Sequence, residues 1–222
     1  IIDLAIEIDA GSRWEPEGLE GLADLTAQMA MAGVRSEANR PALSEAEMGE
    51  AWADLAVEQS ISTSRDRVSL RFRFLSDPKV RDAAVALIAR VLAEPGMVES
   101  VFERERATGI AGLKESLARP QTLATRALWQ AMYQGHPYGA LVTEASLQAL
   151  SRDQLLAFHG FYWKPERMSI AIVVNLGLAD AKQVIEPTSS LLNPGTSGRD
   201  HTLAALTNFR SSLGPAPKAG QS

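Results

Sequence analysis

Asp24 and Gln28 stand four residues apart, so a helix through them sets a carboxylate and an amide on one face, one turn apart. A hard cation could touch both, but one carboxylate and one amide make too few ligands for a metal site. The pair therefore reads as solvated or mutually hydrogen-bonded. The three histidines, His136, His159 and His201, are too scattered to show metal-ligand spacing. His136 falls in a turn and His159 in an amphipathic helix, and both are expected to be structural. Glu103, Arg104, Glu105 and Arg106 alternate in sign, the pattern of a salt-bridged helix face. Arg126 and Tyr133, seven apart, share a helix face after about two turns and serve packing and surface charge. No G-x-S-x-G elbow offers a serine nucleophile, and no Walker-type or dinucleotide glycine fingerprint offers a phosphate cradle. An independent catalytic chemistry is not evident from these residues.

The elements that would position these side chains follow from periodicity. Leu4, Ile6 and Ile8 alternate with Asp3, Glu7 and Asp9, as in a strand with one buried face. Leu70, Phe72 and Phe74 repeat that pattern against Ser69, Arg71 and Arg73. Val80, Ala84, Leu87, Ile88 and Val91 recur at three- and four-residue spacing, the stripe of an amphipathic helix. Strand pairs followed by runs of helices predict an α+β domain, a mostly antiparallel sheet with helices packed on one face. Pro187 to Gly198 is rich in Pro, Ser, Thr and Gly, and Gly214 to Ser222 reads as a linker. One domain is expected over 1–195, then a tail over 196–222.

Composition narrows the function classes. With 222 residues the chain can bury a substantial core, and 45% hydrophobic with 22% charged residues is ordinary for a globular protein. A net charge of −5 disfavours nucleic acid or an anionic membrane as the main partner. The absence of cysteine removes disulfides and thiolate zinc sites and leaves the redox compartment open. No apolar run approaches the roughly 20 residues of a membrane helix, so no membrane span is expected. Enrichment in Ala and Arg suggests a bacterial gene of high GC content, acting in periplasm or cytoplasm rather than a mitochondrion.

The segment Gly11 to Gly33, GSRWEPEGLEGLADLTAQMAMAG, resembles the zinc helix of the pitrilysin-type (inverzincin) metallopeptidases with its zinc chemistry removed. In that family H-x-x-E-H places two zinc-binding His four residues apart with a Glu between them as the base. Laid on this sequence, the first His falls on Asp24, the Glu on Ala27 and the second His on Gln28. The third ligand, a Glu seven residues beyond the Glu of an E-R-E-like segment, falls on Gly112, counted from Glu105. All three ligands and the base are missing together, whereas the framework continues. A helix over Ser44 to Leu55 and strands over Val57 to Thr63 and Arg67 to Leu75 stand where the family has its hairpin. Helices to Glu94-Pro95 and from Val98 to about Ala118 follow. His136-Pro137-Tyr138-Gly139 matches the family's H-P-Y-G turn, Leu150 to Phe161 its late helix, and Pro165 to Val174 its final strand.

The resemblance implies a catalytically inactive half: a non-catalytic subunit, or its N-terminal domain, of a heteromeric zinc metalloendopeptidase. The implied partner is an H-x-x-E-H-bearing catalytic subunit that carries the zinc, so no metal cofactor is expected on this chain. The implied substrate is an unfolded peptide. In active relatives the strand at Gln59 to Thr63 is the edge on which substrate is laid, which makes Ser60, Ile61, Ser62 and Thr63 the candidate peptide-binding residues. Active relatives also hold substrate with an Arg and a Tyr spaced like Arg126 and Tyr133, but from a different domain, so that role does not carry over. The tail over 196–222 would then lead toward a second repeat. The alternative implied by the same family is a purely structural protein, like the core proteins of respiratory complexes.

Overall fold

The computed structural model describes residues 1–37 and 39–174. The Pro- and Gly-rich stretch 187–198, the expected domain end at 195, the tail over 196–222 and His201 lie outside the described residues.

Four antiparallel strands form one sheet in the order β2-β3-β1-β4: β1 (Ile2–Ile8), β2 (Glu58–Thr63), β3 (Val68–Phe74) and β4 (Met168–Val174). The alternation read in the sequence sets the register. Leu4 lies between Phe72 and Ile172, and Ile6 between Leu70 and Ile170, so one face of the sheet is continuously apolar. The opposite face carries charge, with Arg73 3.7 Å from Asp3 and Arg71 3.9 Å from Glu7. Only the first face can build a core, and the helices cover it.

Seven helices supply that layer among the described residues: α1 (Leu22–Met31), α2 (Glu45–Asp54), α3 (Pro78–Ala93), α4 (Glu99–Leu117), α5 (Pro120–Met132), α6 (Glu144–Ala149) and α7 (Arg152–Tyr162). Their starts are chemically marked. Ser44 with Glu47, Thr143 with Ser146 and Ser151 with Gln154 close reciprocal capping boxes at α2, α6 and α7. Asp77 caps α3 through the N–H groups of Lys79 and Val80, ahead of Pro78. The late helix expected at Leu150 to Phe161 is thus α7, with Leu150 in the link from α6.

α1 is the central helix. Leu22, Ala23, Leu25, Thr26, Ala27, Met29 and Ala30 are all buried, so the helix is enclosed on nearly every side, which is the signature of a core helix. α7 packs beside it through Leu155, Ala157, Phe158 and Tyr162. His159 of α7 is buried with Nε2 3.0 Å from the carbonyl oxygen of Leu92, confirming its structural place. Burial, reinforced by the charges of Arg35 and Lys164 and opposed by the hydrogen bond to Leu92, holds this imidazole down at about 3, so it stays neutral in the fold. α4 and α5 form an outer pair: α4 buries only Phe102 and α5 buries no residue fully.

The entry to α1 is tied to the tip of the β2-β3 hairpin. The N–H groups of Ser12 and Arg13 donate to the carbonyls of Ser64 and Arg65 at 3.0 and 2.9 Å. Gly11 permits this approach, since a Cβ there would meet Arg65 O, Arg67 N and Asp66 C at 2.4 Å. These are backbone atoms on both sides and cannot swing away. Gly11→Ala is therefore expected to destabilise the fold by about 3 kcal/mol, the upper range of overpacking penalties, as read from the urea midpoint. A loss under about 0.5 kcal/mol would show that the two segments do not need this contact.

Candidate functional site

The site is assembled around the start of α1. Gly21, the N-cap, adopts φ +104°, a left-handed conformation suited to glycine, and turns the chain into the helix. Two residues on, the N–H of Ala23 donates to Glu15 Oε1 at 2.8 Å, so a carboxyl from eight residues upstream takes one of the helix's unpaired first donors. Burial pushes this carboxyl up to about 8; its backbone hydrogen bonds to Ala23 and Gly21 act in the opposite sense, while Glu20 and Asp24 reinforce the rise. Glu15 is thus a neutral acid at pH 7.

On an otherwise buried helix, Asp24 and Gln28 are exposed. Gln28 Nε2 donates to Asp24 Oδ2 at 2.8 Å, the mutual pairing their spacing suggested. Solvent reaches the Asp24 carboxyl, but protein crowds it on the remaining sides, and this desolvation raises its pKa against the opposing pull of Thr63 and Gln28. The Thr63 hydroxyl faces that carboxyl without reaching hydrogen-bond geometry.

Asp24 and Gln28 open into a cleft of about 250 Å³ between α1, α4 and α6. Glu105, Gly109, Gly112 and Leu113 line it from α4, and Leu147 and Val142 close it from the α6 side. Residues 24, 28 and 112, the three positions read as vacated ligands, therefore converge on one cavity across more than eighty residues of sequence. Ala27, at the position of the base, is 1% exposed and belongs to the core beneath. Gly112 leaves its place in the cleft empty, since nothing lies within 4 Å of where its Cβ would stand. Among the described residues no group of three or more His, Cys, Asp and Glu is placed to hold a metal ion.

The remaining charges of the cleft are already engaged. Glu105 pairs with Arg104 at 2.7 Å, as the sign alternation predicted. Arg106 pairs with Glu103 and donates to the carbonyl of Leu150 at 3.0 Å. Arg126 donates to the carbonyl of Val142 at 2.9 Å, fixing a wall of the cleft, and Tyr133 stacks on Trp129 at 5.0 Å, so both have the packing roles expected of them.

Beside the cleft runs β2, an outer strand of the sheet among the described residues, carrying Ser60, Ile61, Ser62 and Thr63. Opposite them stand Arg71, Leu70, Ser69 and Val68 of β3. Ile61 and Thr63 share the helix-covered face with Leu70 and Val68, whereas Ser60 and Ser62 share the charged face. The hairpin tip is clamped by the His136-Pro137-Tyr138-Gly139 turn. The Tyr138 hydroxyl donates to Asp66, Arg65 Nε donates to the Tyr138 carbonyl at 3.1 Å, and the Arg65 guanidinium lies 3.5 Å over the Trp129 ring. The sequence marked the turn and the hairpin; their meeting, and the wall formed by Val142, Leu113 and Leu147, carried no local signal.

Comparison with known proteins fits this geometry. The family model for insulinase (peptidase family M16) matches residues 2–146. An uncharacterized zinc protease of Rickettsia bellii is 21% identical over 190 residues, which cover 85% of this chain and 43% of that protein. Among solved structures, a peptidase M16 inactive domain from Pseudomonas fluorescens superposes with a TM-score of 0.79 at 24% identity, over 89% of this chain and 47% of that one. Pitrilysin superposes with a TM-score of 0.70 at 21% identity, over 89% of this chain and 21% of its own. The chain spans less than half the length of these relatives.

Two outcomes are expected of the site. Equilibrium dialysis should find no stoichiometric zinc on this chain, and the combined variant Asp24→His, Gln28→His, Gly112→Glu should bind one zinc, since all three side chains would enter one open cleft. Zinc on the unaltered chain that is lost in Asp24→Ala would contradict the assignment of these positions. The second outcome concerns pH. Glu15 has its pKa raised on folding, so its contribution is full below about 4.5 and is lost as pH rises toward 8. His159 has its pKa lowered, so stability falls as pH drops below 6.5 toward about 3. Between about pH 7.5 and 8 His159 is largely neutral in both states, and thermal unfolding there should show a loss on the order of 1 kcal/mol per pH unit that is absent in Glu15→Gln. The same slope in both proteins would exclude Glu15 as its source.

Proposed function

The chain belongs to peptidase family M16, and from that premise we propose that it is the non-catalytic, peptide-holding part of a heteromeric zinc endopeptidase. The observation that carries this reading is the retention of the site without its chemistry. The cleft persists, yet its ligand positions hold Asp24, Gln28 and Gly112, and Ala27 has no atom able to take a proton from water. The likeness to a Pseudomonas fluorescens protein described as an inactive domain supports it. A partner bearing H-x-x-E-H would hold the zinc and the base. This chain would complete the chamber and offer the β2 edge, with Ser60, Ile61, Ser62 and Thr63, to an extended peptide. Adding a strand uses backbone N–H and C=O groups, so that capacity does not depend on the lost side chains. The contribution to rate is then positioning of the peptide rather than acid–base chemistry.

The test is cleavage of a quenched, unstructured peptide by this chain alone, by its H-x-x-E-H partner alone and by the two mixed. Activity in the mixture should exceed that of the partner alone by roughly tenfold or more and vanish with a chelator. Ile61→Pro, which disturbs β2 without touching the cleft, should raise KM in the mixture. A partner as active alone as in the mixture would leave this chain a structural protein, and cleavage by this chain alone would overturn the reading of Asp24, Ala27, Gln28 and Gly112.

A further inference from the structure

We propose that the cleft at Asp24 is a subsite for a cationic side chain, lysine or arginine, of a peptide laid along the β2 edge; this rests on the peptide-holding role above. Three observations converge on it. The first is register. Gln59, Ile61 and Thr63 pair with Phe72, Leu70 and Val68, whose side chains are buried on the helix-covered face. A strand added to β2 continues the same alternation, so every second residue of the peptide points toward the side on which α1 lies. Thr63 already faces the Asp24 carboxyl from β2, which places the edge and the cleft side by side.

The second observation is the wall. Leu25, Leu113, Val142 and Leu147 give the cleft an apolar lining. That lining suits a chain of methylenes better than a short polar group, and a long cationic side chain lays its stem on such a surface while its head stays polar.

The third is charge. Of the ionisable residues lining the cleft, Glu105 is paired with Arg104 and Arg106 with Glu103, whereas Asp24 has only the neutral Gln28 amide as its hydrogen-bond partner. With its amide nitrogen committed to Asp24, Gln28 leaves its oxygen as a second acceptor. An ammonium or guanidinium entering here meets one unpaired carboxylate and one amide oxygen, and charge-assisted hydrogen bonds are the strong ones. The lining sets two carboxylates, Asp24 and Glu105, against one guanidinium, Arg106, so an anionic side chain would meet net negative charge. The zinc-ligand positions have thus become a place that accepts a positive charge brought by the substrate itself.

The experiment compares two labelled, unstructured peptides of one sequence, with a central lysine or the uncharged, nearly isosteric norleucine. Binding to the 222-residue chain is followed by fluorescence anisotropy. The lysine peptide should bind about tenfold tighter, with the ratio falling to about one in Asp24→Asn. Ile61→Pro should weaken both peptides. Equal affinity of the unaltered chain for both peptides, with both weakened by Ile61→Pro, would overturn the subsite and leave the peptide-holding role standing. A lysine preference that survives in Asp24→Asn would overturn it by locating the recognition elsewhere. Absence of binding by either peptide would remove the subsite together with the peptide-holding role.

Discussion

The enclosure of α1 governs this domain. A ten-residue helix whose buried positions are Leu22, Ala23, Leu25, Thr26, Ala27, Met29 and Ala30 must be covered on almost every side. The sheet, α7, α3 and α4 all pack toward it. Asp24 and Gln28 escape because α4 and α6 leave a cleft over that strip, and the strip is its floor. The site is therefore the gap in the wrapping of a core helix. Its shape is set by residues whose business is stability, and it persists whatever stands at 24 and 28.

The same logic separates what can be lost from what cannot. Positions 24, 28 and 112 face the cleft rather than the core, so exchanging their side chains leaves the buried positions of α1 in place. Gly11 and Gly21 are different: at Gly11 the backbone meets that of the hairpin tip and a Cβ would collide with it, while Gly21 holds φ +104° and a Cβ there would stand 2.7 Å from the Leu147 side chain. Ala27 stands between the two classes. It is buried, and an uncharged small residue suits a core position better than a carboxylate that would have to be desolvated. Glu15 shows that cost directly: held in the protein to take the Ala23 N–H, it remains protonated to about pH 8.

Legibility from sequence followed locality. The alternation in β1 and β3 is a period-two signal contained in seven residues, and the register followed from it once the strands met. The motif around Asp24 was legible because ligand spacing on one helix is also local. Gly112 was reachable only through the family resemblance, since its approach to α1 depends on how α4 lies across the domain. Three features had no local signal at all. Arg65 over Trp129 and Tyr138 on Asp66 join segments more than sixty residues apart. Val142 becomes a wall because Arg126 holds its carbonyl. Glu15 was visible as part of the G-S-R-W-E segment, but its helix-entry role depends on the turn at Gly21 bringing it back to Ala23.

Binding and catalysis in such a fold rest on different atoms, and this bears on why a domain can keep one without the other. Zinc hydrolysis requires three donors and a base within a narrow geometry, so losing any one collapses the rate. An added strand requires an open edge with its N–H and C=O groups in line, and these belong to every residue. Among the described residues β2 lies at an edge of the sheet, and the hairpin tip is held in place by Arg65, Asp66, Tyr138 and Trp129, none of which is a ligand position. In the proposed role this edge would carry a peptide past the cleft at Asp24. What the cleft now offers is the single unpaired carboxylate of Asp24, and a lone desolvated carboxylate beside a strand edge favours positive charge arriving on the strand over a metal ion that would need ligands the cleft no longer has.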